Sequence, residues 1–226
     1  MVKDFISLLF PNYCFTCREN LVKGEEYICS ACRLVLPKMN VHKSQQNSLL
    51  KTYGGLLPIE NFYAYLKFSK GGKVQKIMEK LKYENCPEIG TLLGRWYGAD
   101  IKESGVSNQV DLIVPVPLHY SKQKKRGYNQ SDYFAKGLSL ALDVPWDGNI
   151  LMRKSKNETQ TRKSRSERFK NVAGIFELVS PDAVKGKRLL LVDDVITTGA
   201  TLFASAQPLL NGGCSNISLA TIAVAQ

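Results

Sequence analysis

Histidine is scarce in this chain: 226 positions hold only His42 and His119. Neither forms a Ser–His or Cys–His arrangement, so no nucleophile paired with a base is visible. Long apolar runs are missing as well. The longest near the N-terminus, Phe5-Ile6-Ser7-Leu8-Leu9-Phe10, is too short for a signal-peptide core or a membrane span. A cytoplasmic chain without membrane insertion is expected. The phosphate loop G-x-x-x-x-G-K-[ST] is also absent. Gly72-Lys73 and Gly186-Lys187 are followed by Val74 and Arg188, and both lack the upstream glycine. That excludes a P-loop nucleotidase. No internal repeat is visible.

What is present fits a globular protein, with 44% hydrophobic and 23% charged residues. The length allows one full α/β domain and a small appendage. Positive charge is in excess, at a formal net +11, and asks for an anionic partner. The charge is unevenly placed. Lys122, Lys124, Lys125 and Arg126 form one cluster, and Arg153 to Lys170 holds eight basic residues against Glu158 and Glu167. A small, highly charged ligand needs only a few of these. The surplus is compatible with nucleic acid, although charge runs are also ordinary solvated faces.

Four of the six cysteines follow C-x2-C-x11-C-x2-C, namely Cys14, Cys17, Cys29 and Cys32. Two short knuckles around a small hairpin place four sulfurs tetrahedrally about one ion, the geometry of a closed structural zinc site. An iron–sulfur cluster is the lesser metal reading, and disulfides are disfavoured in a cytosolic chain. Cys86 and Cys214 read as buried thiols, and His42 as a surface residue.

The apolar pattern sets out the rest. Phe62–Phe68 alternates as a strand. Val74, Ile77, Met78 and Leu81 mark a helix, and Ile89–Ile101 a second. Asp111–Val114 is a short buried strand, Tyr128–Leu142 a helix and Ile217–Val224 a closing strand. From about residue 110, strands and helices alternate, which favours an open, mainly parallel sheet whose ligands bind beyond the strand carboxyl ends. One segment stands out there. Leu189-Leu190-Leu191-Val192 reads as a buried strand, Asp193-Asp194 as an acidic turn, Val195 to Gly199 as a hydroxyl-bearing loop and Ala200–Leu210 as a helix. The helix amino end favours an anion, Thr197, Thr198 and Thr201 add hydroxyls, and Gly199 admits close backbone approach. The carboxylates must then face another part of the ligand, such as sugar hydroxyls or a metal. Together these describe a sugar phosphate.

The segment resembles the ribose-phosphate motif of type I phosphoribosyltransferases, whose ligand is phosphoribosyl pyrophosphate (PRPP). The resemblance implies that Asp193 and Asp194 accept from the ribose hydroxyls while Val195, Thr197, Thr198, Gly199, Ala200 and Thr201 surround the 5-phosphate. It also implies pyrophosphate binding at the Val114–Leu118 loop by Pro115, Val116 and Pro117, where the rigid Pro-x-Pro holds backbone N–H groups in an exposed curve, with Arg126 as a fixed cation. A mobile loop would follow, with Gln160, Arg162, Lys163, Arg165 and Arg168 closing over the reaction.

The whole succession is narrower. The paired C-x2-C motifs, Val-Pro-Val-Pro-Leu-His, Arg126-Gly-Tyr-Asn-Gln130, the basic segment from Gln160 to Arg168 and Val-Asp-Asp-Val-Ile-Thr-Thr-Gly resemble the ComF/GntX family, over nearly the full chain. Its members are linked to competence for DNA uptake. The implied fold is α/β: a type I phosphoribosyltransferase-like open, mainly parallel sheet behind a small four-cysteine zinc-ribbon-like module. The implied division is a zinc module at 1–35, a linker or hairpin at 36–60 and a phosphoribosyltransferase-like domain at 61–226, with hood elements about 61–105 and the core about 110–226. The implied function is transfer of the phosphoribosyl group from Mg–PRPP to an unidentified acceptor, with Asp193 and Asp194 as catalytic residues. The alternatives are a non-catalytic component of the DNA-uptake machinery that binds PRPP, nucleotides or single-stranded DNA, and a PRPP-sensing regulator.

Overall fold

A computed structural model describes residues 11–43, 48–53, 57–154 and 174–225. The order of elements is α1 (Ser30–Leu34), α2 (Ser48–Tyr53), β1 (Phe62–Phe68), α3 (Lys73–Tyr83), α4 (Glu88–Lys102), β2 (Leu112–Pro115), α5 (Tyr120–Arg126), α6 (Gln130–Leu142), β3 (Leu151–Arg153), β4 (Phe176–Leu178), β5 (Arg188–Ile196), α7 (Ala200–Asn211) and β6 (Asn216–Ala225).

Strands β1, β6, β5 and β2 pair in that order into one sheet, every pairing parallel. Both faces are covered, so the strands read as continuous apolar runs. Alternation along β5 splits the core: Leu190 and Val192 face the side covered by α3, α4 and α6, while Leu189 and Leu191 face α7. Strands β3 and β4 form a separate antiparallel pair, Leu151 opposite Leu178 and Arg153 opposite Phe176. A bidentate Arg188–Asp111 pair (Nη2 to Oδ1 2.6 Å, Nε to Oδ2 3.0 Å) ties the starts of β5 and β2.

On the first face α4 and α6 meet backbone to backbone. A Cβ on Gly94 would lie 2.4 Å from the Phe134 carbonyl oxygen and 2.8 Å from Gly137 Cα, and one on Gly137 would lie 2.2 Å from the Thr91 oxygen. Only glycine allows this approach, which brings the start of α6 toward the end of β5.

The cysteine module rests against the same layer. Lys76 Nζ donates to the Thr16 carbonyl (3.4 Å), Lys80 lies over the Phe15 ring (5.2 Å) and Arg33 over Trp96 (4.4 Å). Beyond it the chain runs antiparallel to the edge of β1: Met39 N donates to Tyr65 O and Lys67 N to Pro37 O.

His42 is not a surface residue, since its ring nitrogens are buried and its ring meets Tyr97 edge-on at 5.8 Å, and Cys86 and Cys214 are half-buried rather than buried. Two readings of secondary structure also change. The Asp193-Asp194 pair is strand rather than turn, because β6 continues alongside with Asp193 opposite Thr221 and Ile196 opposite Val224. The Tyr128–Leu142 helix begins at Gln130, where the Asn129 side chain caps it, and the basic cluster before it is the separate helix α5, closed by Gly127 at φ 82°.

Candidate functional site

The carboxyl ends of β5 and β2 and the amino ends of α6 and α7 converge. Asp193 and Asp194 lie near the carboxyl end of β5. Asp193 Oδ1 accepts from Ser131 Oγ at 3.0 Å and from the Asp194 amide at 2.8 Å. Asp194 Oδ2 pairs with Lys82 Nζ, near the end of α3, at 2.9 Å. Burial, with the neighbouring Asp194 charge adding to it, pushes the Asp193 carboxyl up to about 7 despite the Asp194 amide, the Ser131 hydroxyl and Lys82. Burial also raises Asp132, next along α6, to about 6 against its hydrogen bond from Asn129. Raised carboxyl pKa values gather at functional sites, so Asp193 near the end of β5 and Asp132 in the first turn of α6 count toward a candidate site.

The hydroxyl-bearing loop bends as its sequence suggests. Gly199 sits at φ 80° and precedes α7, whose first amides have no partner within the helix. Asp193, Val195, Thr197, Thr198, Gly199, Ala200 and Thr201 line a hollow of about 30 Å³ at this helix end. The proposed phosphate wrap therefore surrounds one concavity.

The Pro-x-Pro loop needs correction. Pro115 and Pro117 carry no N–H, and the Val116 amide donates to the Val192 carbonyl at 2.9 Å, inside the sheet. None of the three offers an amide to a ligand. They instead anchor the loop: the Val116 carbonyl accepts from Asn129 Nδ2 at 3.1 Å. The Arg-Gly-Tyr-Asn-Gln stretch acquires roles by the same logic. Arg126 Nη1 donates to Gln130 Oε1 (2.8 Å), and the Tyr128 hydroxyl donates to the Leu81 carbonyl (2.6 Å), joining α5 and α6 to α3. Gln160, Arg162, Lys163, Arg165 and Arg168 lie outside the described residues.

Three residues to which the sequence assigns no place in the site enter it. Lys82 pairs with Asp194 and Ser131 with Asp193, while Arg153 at the end of β3 is close enough for its charge to be felt by Asp193. Lys82 is a cation in an amphipathic helix and Ser131 follows an N-cap, so neither carries a local signal. Arg153 stands out in the sequence only as part of a basic cluster. Several buried polar atoms nearby have no hydrogen-bond partner among the described residues: Gln130 Nε2, Arg153 Nε and Thr221 Oγ1, the last opposite Asp193 in register. Buried polar groups are ordinarily satisfied, so this cluster is suited to a polar ligand.

The four sulfurs of Cys14, Cys17, Cys29 and Cys32 lie within 4.8 Å of one another. A tetrahedron with Zn–S bonds of about 2.3 Å has edges of about 3.8 Å, and Cys17 Sγ to Cys29 Sγ is 3.7 Å. Backbone amides of Cys29 and Cys32 point at Cys14 Sγ (3.3 Å) and Cys29 Sγ (3.4 Å), as hydrogen-bond donors to thiolates would. The donor set fits a structural zinc ion. A cavity of about 1180 Å³ between this module and α4 and α6 has neither Asp193 nor Asp194 in its wall. Among the described residues no helix is long and apolar enough to cross a membrane.

Comparison with known proteins places these features. The phosphoribosyl transferase domain family matches residues 129–225. Competence protein F of Haemophilus influenzae is 31% identical over 217 residues, covering 91% of this chain and 94% of that protein. DNA utilization protein YhgH of Escherichia coli is 28% identical over 229 residues, covering 94% and 96%. Among solved structures, the glutamine PRPP amidotransferase from B. subtilis complexed with ADP and GMP is 21% identical, with a TM-score of 0.44 over 64% of this chain and 30% of that one.

Proposed function

Because the chain belongs to the competence protein F family and has a type I phosphoribosyltransferase-like fold, we propose that it binds Mg–PRPP at the end of β5 and transfers the phosphoribosyl group to a nitrogen acceptor, releasing pyrophosphate, in DNA uptake or nucleotide metabolism. The observation that carries this reading is the paired carboxylate near a strand end beside a hydroxyl-lined helix amino terminus. In transfer, the ribose C1–oxygen bond to pyrophosphate breaks, pyrophosphate leaves with the electron pair, a C1–nitrogen bond forms and the acceptor nitrogen loses its proton to solvent.

Each residue has a part. Asp193 and Asp194 accept from the ribose hydroxyls and favour positive charge as the ring becomes oxocarbenium-like. Ser131 and the Asp194 amide fix the Asp193 carboxylate for that task. Thr197 to Thr201 and the first amides of α7 hold the 5-phosphate. Lys82 must release Asp194 for the ribose to enter, and is then free to meet an anion. Arg126, steadied by Gln130, is the cation for the pyrophosphate. The carboxylates are hard oxygen donors suited to Mg²⁺, which when bound with PRPP would supply Lewis-acid charge neutralisation of the leaving group. The four-cysteine module at 1–35 holds zinc and has no open coordination position for chemistry.

A second reading is favoured by the net charge of +11 and by the competence and DNA-utilization names of the relatives. In it the same site binds PRPP or single-stranded DNA as part of DNA uptake and transfers nothing. Incubating the chain with Mg²⁺, PRPP and candidate acceptors separates the two: acceptor-dependent pyrophosphate release is expected for a transferase. Tight PRPP binding with no release for any base or nucleotide would favour the second.

A further inference from the structure

Beside the carboxylates, on the far side of Lys82, lies a cavity of about 460 Å³ walled by Lys82, Tyr83, Asn85, Lys122, Lys125, Arg126 and Tyr128. Four of its seven lining residues are cations and none is a carboxylate. Lys124, Lys125 and Arg126 stand in the last turn of α5, where a helix favours positive charge. That does not account for Lys122, one turn earlier, or for Lys82, which arrives from α3. Lys122 and Lys125 have no ion-pair partner among the described residues. Like charges gathered around one concavity focus a positive potential that draws an anion into it.

Its connection to the ribose clamp is direct, since Lys82 lines the cavity and also pairs with Asp194 at 2.9 Å. The size lies within the range of small-molecule sites. The wall is not only cationic. The exposed Tyr83 ring, with the Arg126 guanidinium 5.3 Å from its centroid, and the Asn85 amide offer a flat face and a hydrogen-bonding group.

We infer that this cavity holds a phosphate carried by the acceptor, so that the acceptor is a phosphorylated molecule of nucleotide size. This rests on the transferase reading and names the substrate class of the same site. Beyond Arg126, which serves the pyrophosphate, Lys122 and Lys125 serve the acceptor phosphate, and Lys82 joins them once the ribose displaces it from Asp194. Binding of PRPP and of the acceptor is therefore coupled.

Calorimetry on the full-length chain tests this, with Mg–PRPP, 5′-AMP and adenosine titrated separately into the wild type and the double variant Lys122→Ala/Lys125→Ala. Both lysines are exposed, so the variant should fold. The expected result is that wild-type chain binds 5′-AMP at least tenfold more tightly than adenosine. The variant should lose that advantage while Mg–PRPP affinity stays within twofold. Equal affinity for 5′-AMP and adenosine in the wild type would overturn the inference and leave the PRPP reading standing. Loss of Mg–PRPP affinity in step with 5′-AMP would also overturn it, because the cavity would then be the pyrophosphate site. Failure of the wild type to bind Mg–PRPP at all would remove the transferase reading itself, and the acceptor assignment with it.

Discussion

Asp193 embodies a conflict between stability and function. Its folded-state pKa, about 7, lies above the ordinary aspartate value of 3.8. The folded chain therefore holds this proton more tightly than the unfolded one. The sign follows: stability from protonated Asp193 is fully present below about pH 4 and is lost as pH rises to about 7. Asp193→Asn keeps an oxygen that can accept from Ser131 and the Asp194 amide. It should raise Tm at pH 8 by about 2–4 °C, the shift produced by ~1 kcal/mol in a chain of this size, with little change at pH 4, while weakening Mg–PRPP binding. Thermal unfolding at the two pH values checks this, and an unchanged Tm at pH 8 would refute it. At this scale the sequence was legible only where functional residues are contiguous. Asp193 to Thr201 carry strand, carboxylates, hydroxyls and helix start in one run. Lys82, Ser131 and Arg153 reach the same spot from three other elements, and their spacing along the chain holds no record of that meeting.

Elements with an apolar period were readable, and those without one were not. Strand β1, helices α3, α4 and α7 and strands β2 and β6 follow their hydrophobic patterns within a few residues. Helix α5, Tyr-Ser-Lys-Gln-Lys-Lys-Arg, has no buried residue and so no stripe to detect. Strands β3 and β4 are three residues each, shorter than any pattern, and take their order from pairing across the sequence between them. The Asp-Asp pair read as a turn because polarity outweighed the pairing that β6 supplies. The glycines of α4 and α6 give the sharpest test at this scale. Gly94→Ala gains helix propensity of about 1 kcal/mol. However, it drives a methyl against the Phe134 carbonyl and Gly137 Cα. Overpacking of this kind costs about 1–3 kcal/mol, so a net loss in urea unfolding is expected, with α6 displaced from the carboxylates. A more stable Gly94→Ala chain would contradict the backbone contact.

Across the whole molecule, the sheet places chemistry at the strand carboxyl ends and the cysteine module buttresses the helix layer that carries Lys82. The proposed zinc and PRPP sites are thus separable. One zinc per chain is expected by atomic absorption, and Cys14→Ser/Cys29→Ser should lose it; full retention in that variant would rule out the four-sulfur site. The net charge of +11 belongs to the same scale, since most of it exceeds what one PRPP requires. The central claim is that Asp194 grips the ribose of PRPP, and calorimetry of Mg–PRPP against wild type and Asp194→Asn tests it most directly. The account predicts clear binding by the wild type and at least a tenfold loss in the variant, with zinc content and Tm preserved. Unchanged affinity in a folded, zinc-loaded Asp194→Asn chain would contradict it.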